Sequence, residues 1–214
     1  MTIIRDFEKK CSVCGRTSMQ PVLSSTNSWG YPDIDLRPPE MQRSTMDTWL
    51  EECPHCGYVA SNLENKLEVP ADLLKTDEYL TCEGKSFKSK LSERFYKHYL
   101  ISKAEKDYGS EFLSLLHCAW TCDDNGDELA VEIRKMALKS MYKMKAQEEE
   151  DEKHALILIE ADLLRRSMQF DEVIRKFKDL ILEDKTQNDI ITFQIELSMN
   201  KDSDCHTVGE VIKK

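Results

Sequence analysis

Four of the chain's eight cysteines fall into two short pairs, Cys11 and Cys14 in CSVCG and Cys53 and Cys56 in CPHCG, each followed at once by glycine. A CxxC turn lets two sulfurs converge on one ion while backbone N–H groups of the same turn point at them, and two such turns complete the four-ligand shell of a tetrahedral zinc. Gly15 and Gly57 suit these turns, because the residue after the second cysteine often needs a positive φ that glycine reaches without steric cost. Iron also accepts four cysteine sulfurs, so the spacing specifies the geometry more firmly than the element.

Other chemistries compete for these thiols. A redox dithiol normally opens a helix in a strand–helix context, and neither CSVCGRTSMQPVL nor CPHCGYVASN begins with an apolar strand. A catalytic zinc keeps an open coordination position that four cysteines would close. His55 sits inside the second turn and is expected to point outward. The reading is therefore a closed, structural zinc site at Cys11, Cys14, Cys53 and Cys56. Four thiolates around a divalent ion leave a local charge that needs donors or cations. Lys9, Lys10 and Arg16 flank the first pair, but Glu51 and Glu52 precede the second, where backbone amides or the first turn's cations would have to compensate.

The stretch between the pairs is rich in Ser, Thr, Pro and Gly and lacks helical periodicity. It predicts a long loop or short irregular strands, ordered by the ion at both ends. Within it, YPDIDLRPPE alternates Asp33 and Asp35 with Ile34 and Leu36, so in an extended chain both carboxylates face one way. Asp33, Asp35 and Arg37 are candidate partner-binding residues. The alternatives are ion pairing of the aspartates with Arg37 or Arg43, a second cation, and an exposed prolyl segment with solvated aspartates. Trp29, Tyr31 and Trp49 are expected in a small core around the metal.

From Pro70 the punctuation changes: no proline follows, and glycine recurs only at 84, 109, 126 and 209. Segments of helical length lie near 70–80, 88–107, 110–122, 127–147, 153–167, 170–183, 188–199 and 206–213. Leu129, Ile133 and Met136 mark one buried stripe, and Val173, Phe177 and Leu180 another. Segment 153–167 is apolar on two neighbouring faces and should lie between other helices. The expected fold is mainly α: a small irregular or β, zinc-ribbon-like module over 1–65, followed by an all-α array over 66–214. The stretch ALILIEADLLRRSMQFDEVIRKFKDLIL resembles a tetratricopeptide unit, with Ala161, Leu164, Phe170, Val173 and Phe177 near the expected packing positions. The pair around Ala119, Trp120, Gly126, Ala130 and Ala137 resembles it more loosely and is stretched by the insert QEEEDEK.

Cys118 and Cys122, with Cys82 and Cys205, are read as small core residues. His98, His117, His154 and His206 form no catalytic constellation, and neither a phosphate-cradling glycine loop nor a serine elbow occurs. The net charge of −10 gathers in residues 108–214, with 15 basic against 23 acidic residues, which argues against a nucleic-acid partner. The run Lys85, Lys88, Lys90, Arg94 and Lys97 reads as the wet side of a helix. No apolar run reaches signal-peptide or membrane-spanning length, so the expectation is a cytoplasmic protein without a membrane partner, its thiols free for metal.

With its CxxCG turn, its PDIDLRPPE segment, its CPHCGYVA turn and its helical tail, the chain resembles a bacterial family catalogued as a domain of unknown function. The resemblance implies zinc at the four cysteines and tetratricopeptide-like helices suited to binding a protein or peptide. The function expected is a zinc-stabilised interaction protein and not an enzyme. Its alternatives are a thiol-redox or metal-dependent enzyme using the CxxC pairs or Asp33 and Asp35, and a nucleic-acid-binding zinc ribbon.

Overall fold

A computed structural model describes residues 1–146 and 156–212. The insert QEEEDEK and His154 lie outside the described residues. Strands β1 (Ile3–Lys10) and β2 (Thr17–Ser25) form an antiparallel hairpin whose loop is the first cysteine turn, with Lys10 paired to Thr17 at its mouth. A two-residue ladder of β3 (Glu51–Glu52) with β4 (Val59–Ala60) frames the second turn in the same manner. The hairpin differs from the expected loop, and a strand does precede Cys11. Nearly every residue of β1 is exposed, so the alternation that marks a half-buried strand is missing from its sequence.

Between the ladders the chain is irregular apart from a 3-10 turn (Arg43–Thr48); from residue 71 on it is largely helical, and the chain is mainly α. The segment near 70–80 splits into a 3-10 turn (Ala71–Lys75) and a single-turn helix α1 (Asp77–Leu80), because Thr76 between them is extended and caps α1 with its hydroxyl. Helices α2 (Lys90–Glu105) and α3 (Tyr108–Asp124) start at the side-chain caps Ser89 and Asp107. Lys106, left-handed at φ 61°, turns the chain sharply between them. α4 (Leu129–Lys145), α5 (Ile157–Arg166), α6 (Phe170–Phe177), α7 (Lys185–Met199) and α8 (Val208–Ile212) follow. α3 packs on both α2 and α4, and α5 contacts α4, α6 and α7, as the two apolar faces of its sequence require. Ala161, Leu164, Val173 and Phe177 are buried in these contacts, as are Ala119, Trp120, Ala130 and Ala137.

One buried apolar cluster runs from Cys11, Tyr58, Val59 and Leu63 through Phe95 and Leu115 to Ile133, Leu163 and Phe177, so the core continues across residue 65. Polar bonds follow the same path. The Tyr79 hydroxyl donates to the Gly57 carbonyl at 2.6 Å, and Arg94 donates to the carbonyls of Asp47 and Leu50 at 3.0 and 3.2 Å. The aromatic residues are placed otherwise than expected: Trp29 is exposed, Tyr31 lies against Gly209, and Trp49 meets the edge of the His117 ring. Tyr58, Val59 and Leu63 pack beside the cysteines instead. Among the described residues no helix is long and apolar enough to cross a membrane.

Candidate metal centre

The two cysteine turns are copies of one backbone design. Cys11 N–H donates to the Arg16 carbonyl at 2.9 Å and Cys53 N–H to that of Tyr58 at 2.8 Å. Gly15 N–H reaches back to the Cys11 carbonyl and Gly57 N–H to that of Cys53, both at 2.9 Å. The glycines stand at φ 72° and 73°, the left-handed conformation that closes each turn. Each turn is held at the mouth of a β-ladder, and the Ser12 N–H bond to the Leu63 carbonyl, 2.9 Å, ties the first turn to the chain following the second.

This brings the sulfurs of Cys11, Cys14, Cys53 and Cys56 within 4.8 Å of one another. Cys11 Sγ lies 3.7 Å from Cys56 Sγ, and Cys14 Sγ 3.7 Å from Cys53 Sγ. An ion bonded to four sulfurs at about 2.3 Å in a tetrahedron separates them by about 3.8 Å, whereas a disulfide needs about 2.05 Å. The donor set therefore fits one metal ion and supplies its whole shell. It is the only group of three or more such ligand residues brought together among the described residues.

Burial pushes the Cys11 thiol up against the opposing backbone hydrogen bonds of Cys14 and Val13, and burial raises Cys56 against that of Tyr58. Cys14, nearly unburied, is lowered chiefly by the backbone hydrogen bond of Arg16. Arg16 and Tyr58 stand two residues after the second cysteine of their respective turns, so the donors repeat with the turns. Side-chain charge is engaged elsewhere: Lys9 bonds Asn62 and Glu64, Glu51 accepts the Leu63 N–H at 2.7 Å, and Glu52 faces Arg94 and Lys97. His55 is exposed, 3.3 Å from the Thr17 carbonyl and outside the cluster.

Asp33, Asp35 and Arg37 lie on a turn, not on an extended strand, and all three are buried. Leu36, at φ 66°, folds its N–H back to the Asp33 carbonyl, while Asp33 N–H bonds the Arg37 carbonyl. The segment inserts among the helices and the C-terminal stretch. Asp33 pairs with Arg43 at 2.6 Å, and Arg37 grips Asp124 with both terminal nitrogens at 2.9 and 2.5 Å. Asp35 accepts the Trp120 indole N–H at 2.6 Å and Arg166 at 3.3 Å. Arg166 and Arg134 converge on Asp123, and Ile34 N–H and Val208 N–H close a β-bridge between the two chain segments. Burial, followed by the field of Asp162, pushes the Asp35 carboxyl up to about 6 against the pull of Arg166, Arg134 and Trp120.

The aspartates are thus neither solvated nor arrayed on one face of a strand; one of the expected ion pairs, Asp33 with Arg43, is formed. Sequence reasoning missed the buried arginines Arg134, Arg165 and Arg166. For Arg165 and Arg166 the one signal was their adjacency at the close of the two-faced apolar helix, where a charge without an aspartate opposite would be costly. Cys82, Cys118 and Cys122 are buried as expected, whereas Cys205 is exposed. In comparisons with family models, curated proteins and solved structures, none matches this chain.

Proposed function

We propose that the chain is a zinc-stapled interaction protein, in which one Zn²⁺ at Cys11, Cys14, Cys53 and Cys56 orders the N-terminal hairpins and the helices present surfaces to a protein or peptide partner. The observation that carries this reading is the pairing of sulfurs across the two turns, 3.7 Å in both cases, which closes a four-ligand shell with no position left for substrate. The likeness of residues 11–60 to the bacterial knuckle family and of the helices to tetratricopeptide units supports it. The acidic excess of residues 108–214 favours basic or neutral partner segments.

Affinity capture from cell extract with the zinc-loaded chain, run beside a Cys53→Ser variant, tests the proposal. Partners recovered by the first and lost by the second support a metal-ordered scaffold. A folded, metal-loaded chain that recovers nothing contradicts it, and two fast-reacting thiols in folded, metal-free protein shift the reading to redox chemistry.

A further inference from the structure

The β1–β2 hairpin has two outer edges, and they differ. Along an antiparallel pair, residues bonded to the partner strand alternate with residues whose N–H and C=O point away from it. Pro21 stands opposite Asp6 with no N–H to give, and the Cys11 N–H bond to the Arg16 carbonyl fixes the same phase. Arg5, Phe7 and Lys9 therefore bond inward, while Ile4, Asp6 and Glu8 turn their backbone groups outward. On β2 the outward residue at mid-strand is Pro21 itself, which interrupts that edge. β1 has no such interruption. No other described segment bonds its outward groups, and every residue from Ile3 to Glu8 is exposed.

The charges on β1 are also unmatched within the hairpin. Arg5 faces Val22, Asp6 faces Pro21 and Glu8 faces Met19, and none of the three charges has an ion-pair partner among the described residues. Charged side chains protect an edge strand from unwanted pairing, and these act against a second copy of the chain. Two-fold pairing of β1 with itself, centred on Arg5, Asp6, Phe7 or Glu8, sets Arg5 on Arg5, Asp6 on Asp6, Asp6 on Glu8 or Glu8 on Glu8. Like charges directly opposite are destabilising in every one of these registers. A strand with the complementary order of charges meets no such barrier.

We propose that the outer edge of β1 receives an extended segment of a protein partner as a third, antiparallel strand, with basic side chains opposite Asp6 and Glu8, an acidic one opposite Arg5, and apolar ones opposite Ile4 and Phe7. The partner's backbone exchanges hydrogen bonds with Ile4, Asp6 and Glu8. This surface is separate from the helices to which the proposed function assigns a partner, and it stands whether or not those helices bind one.

The test titrates the zinc-loaded chain with the end-blocked peptide TEKVREVT, which runs antiparallel to β1 from Lys10 to Ile3, and with its charge-inverted counterpart TKEVEKVT, following backbone amides by NMR. The expected result is binding of the first at least tenfold tighter than of the second, with slowed exchange gained at the amides of Ile4, Asp6 and Glu8 and not at those of Arg5 and Phe7. N-methylation of the peptide's arginine removes the bond donated to the Asp6 carbonyl and should weaken binding at least tenfold, with the protein itself unaltered. Glu8→Pro, which gives β1 the block that Pro21 gives β2, should abolish the protection, whereas Glu8→Gln keeps it. No binding at millimolar concentration, equal affinity for the two peptides, protection that spares the three outward amides, undiminished affinity of the methylated peptide, or self-association of the chain through β1 would overturn the proposal.

Discussion

Gly57 closes the second cysteine turn at φ 73°, and open space surrounds the position a Cβ would take. Gly57→Ala therefore introduces backbone strain alone, about 1–2 kcal/mol. The variant should still take up metal, with a lowered unfolding midpoint; an unchanged midpoint would remove the conformational argument for the glycine. His117 supplies a pH signature. Burial, with the fields of His98 and Arg37, holds it down to about 4, against about 6.5 for histidine in the unfolded chain. Between those values the unfolded state binds a proton that the folded state refuses, so this contribution to stability is complete above pH 6.5 and is lost as the pH falls towards 4. The amount is on the order of 3 kcal/mol at 1.36 kcal/mol per pH unit. Urea midpoints measured from pH 7 to 4.5 should decline less steeply in His117→Phe than in the parent chain, since the thiols respond alike in both. Parallel declines would show that this imidazole is not held neutral.

At the scale of elements, the turn from Asp33 to Arg37 acts as a clamp whose jaws are set by α3, α4 and α5. Asp35 and Asp123 share Arg166, which is itself only 6% exposed. Removing one partner of such a buried set leaves charges without compensation and costs about 3–5 kcal/mol. Arg166→Met should lower the unfolding free energy by that amount in chemical denaturation, and a loss below about 1 kcal/mol would mean that the clamp is incidental. This clamp was not legible in the sequence. Alternation in PDIDL describes an extended strand, but a left-handed Leu36 and partners 85 to 131 residues away decide the outcome, and local pattern carries neither. The helices were legible because their apolar stripes and caps are local; the shifts at their starts follow Ser89, Asp107 and Asp184, whose side chains take up the first free N–H groups. The β1–β2 hairpin was hidden for the opposite reason: an exposed ribbon leaves no apolar period, and its register is set by the cysteine turn at its tip.

For the molecule as a whole, the four cysteines were the most readable feature, since CxxCG carries its own turn geometry wherever it occurs. The sequence could not show that the module they organise shares one core with the helices. Tyr79 and Arg94 fasten helical segments to the carbonyls of Gly57, Asp47 and Leu50, and Tyr58 and Leu63 belong to the same buried cluster as Cys11, Cys53 and the helical core. Loss of the ion should consequently be felt beyond the hairpins, in the exchange protection of the segment carrying Tyr79. All of this rests on the four sulfurs binding one ion, and zinc K-edge X-ray absorption on the purified chain measures that directly. The account predicts one zinc per chain with four sulfur neighbours at about 2.3 Å. A chain without stoichiometric metal, or a zinc whose shell contains nitrogen or oxygen in place of any of the four sulfurs, would contradict it.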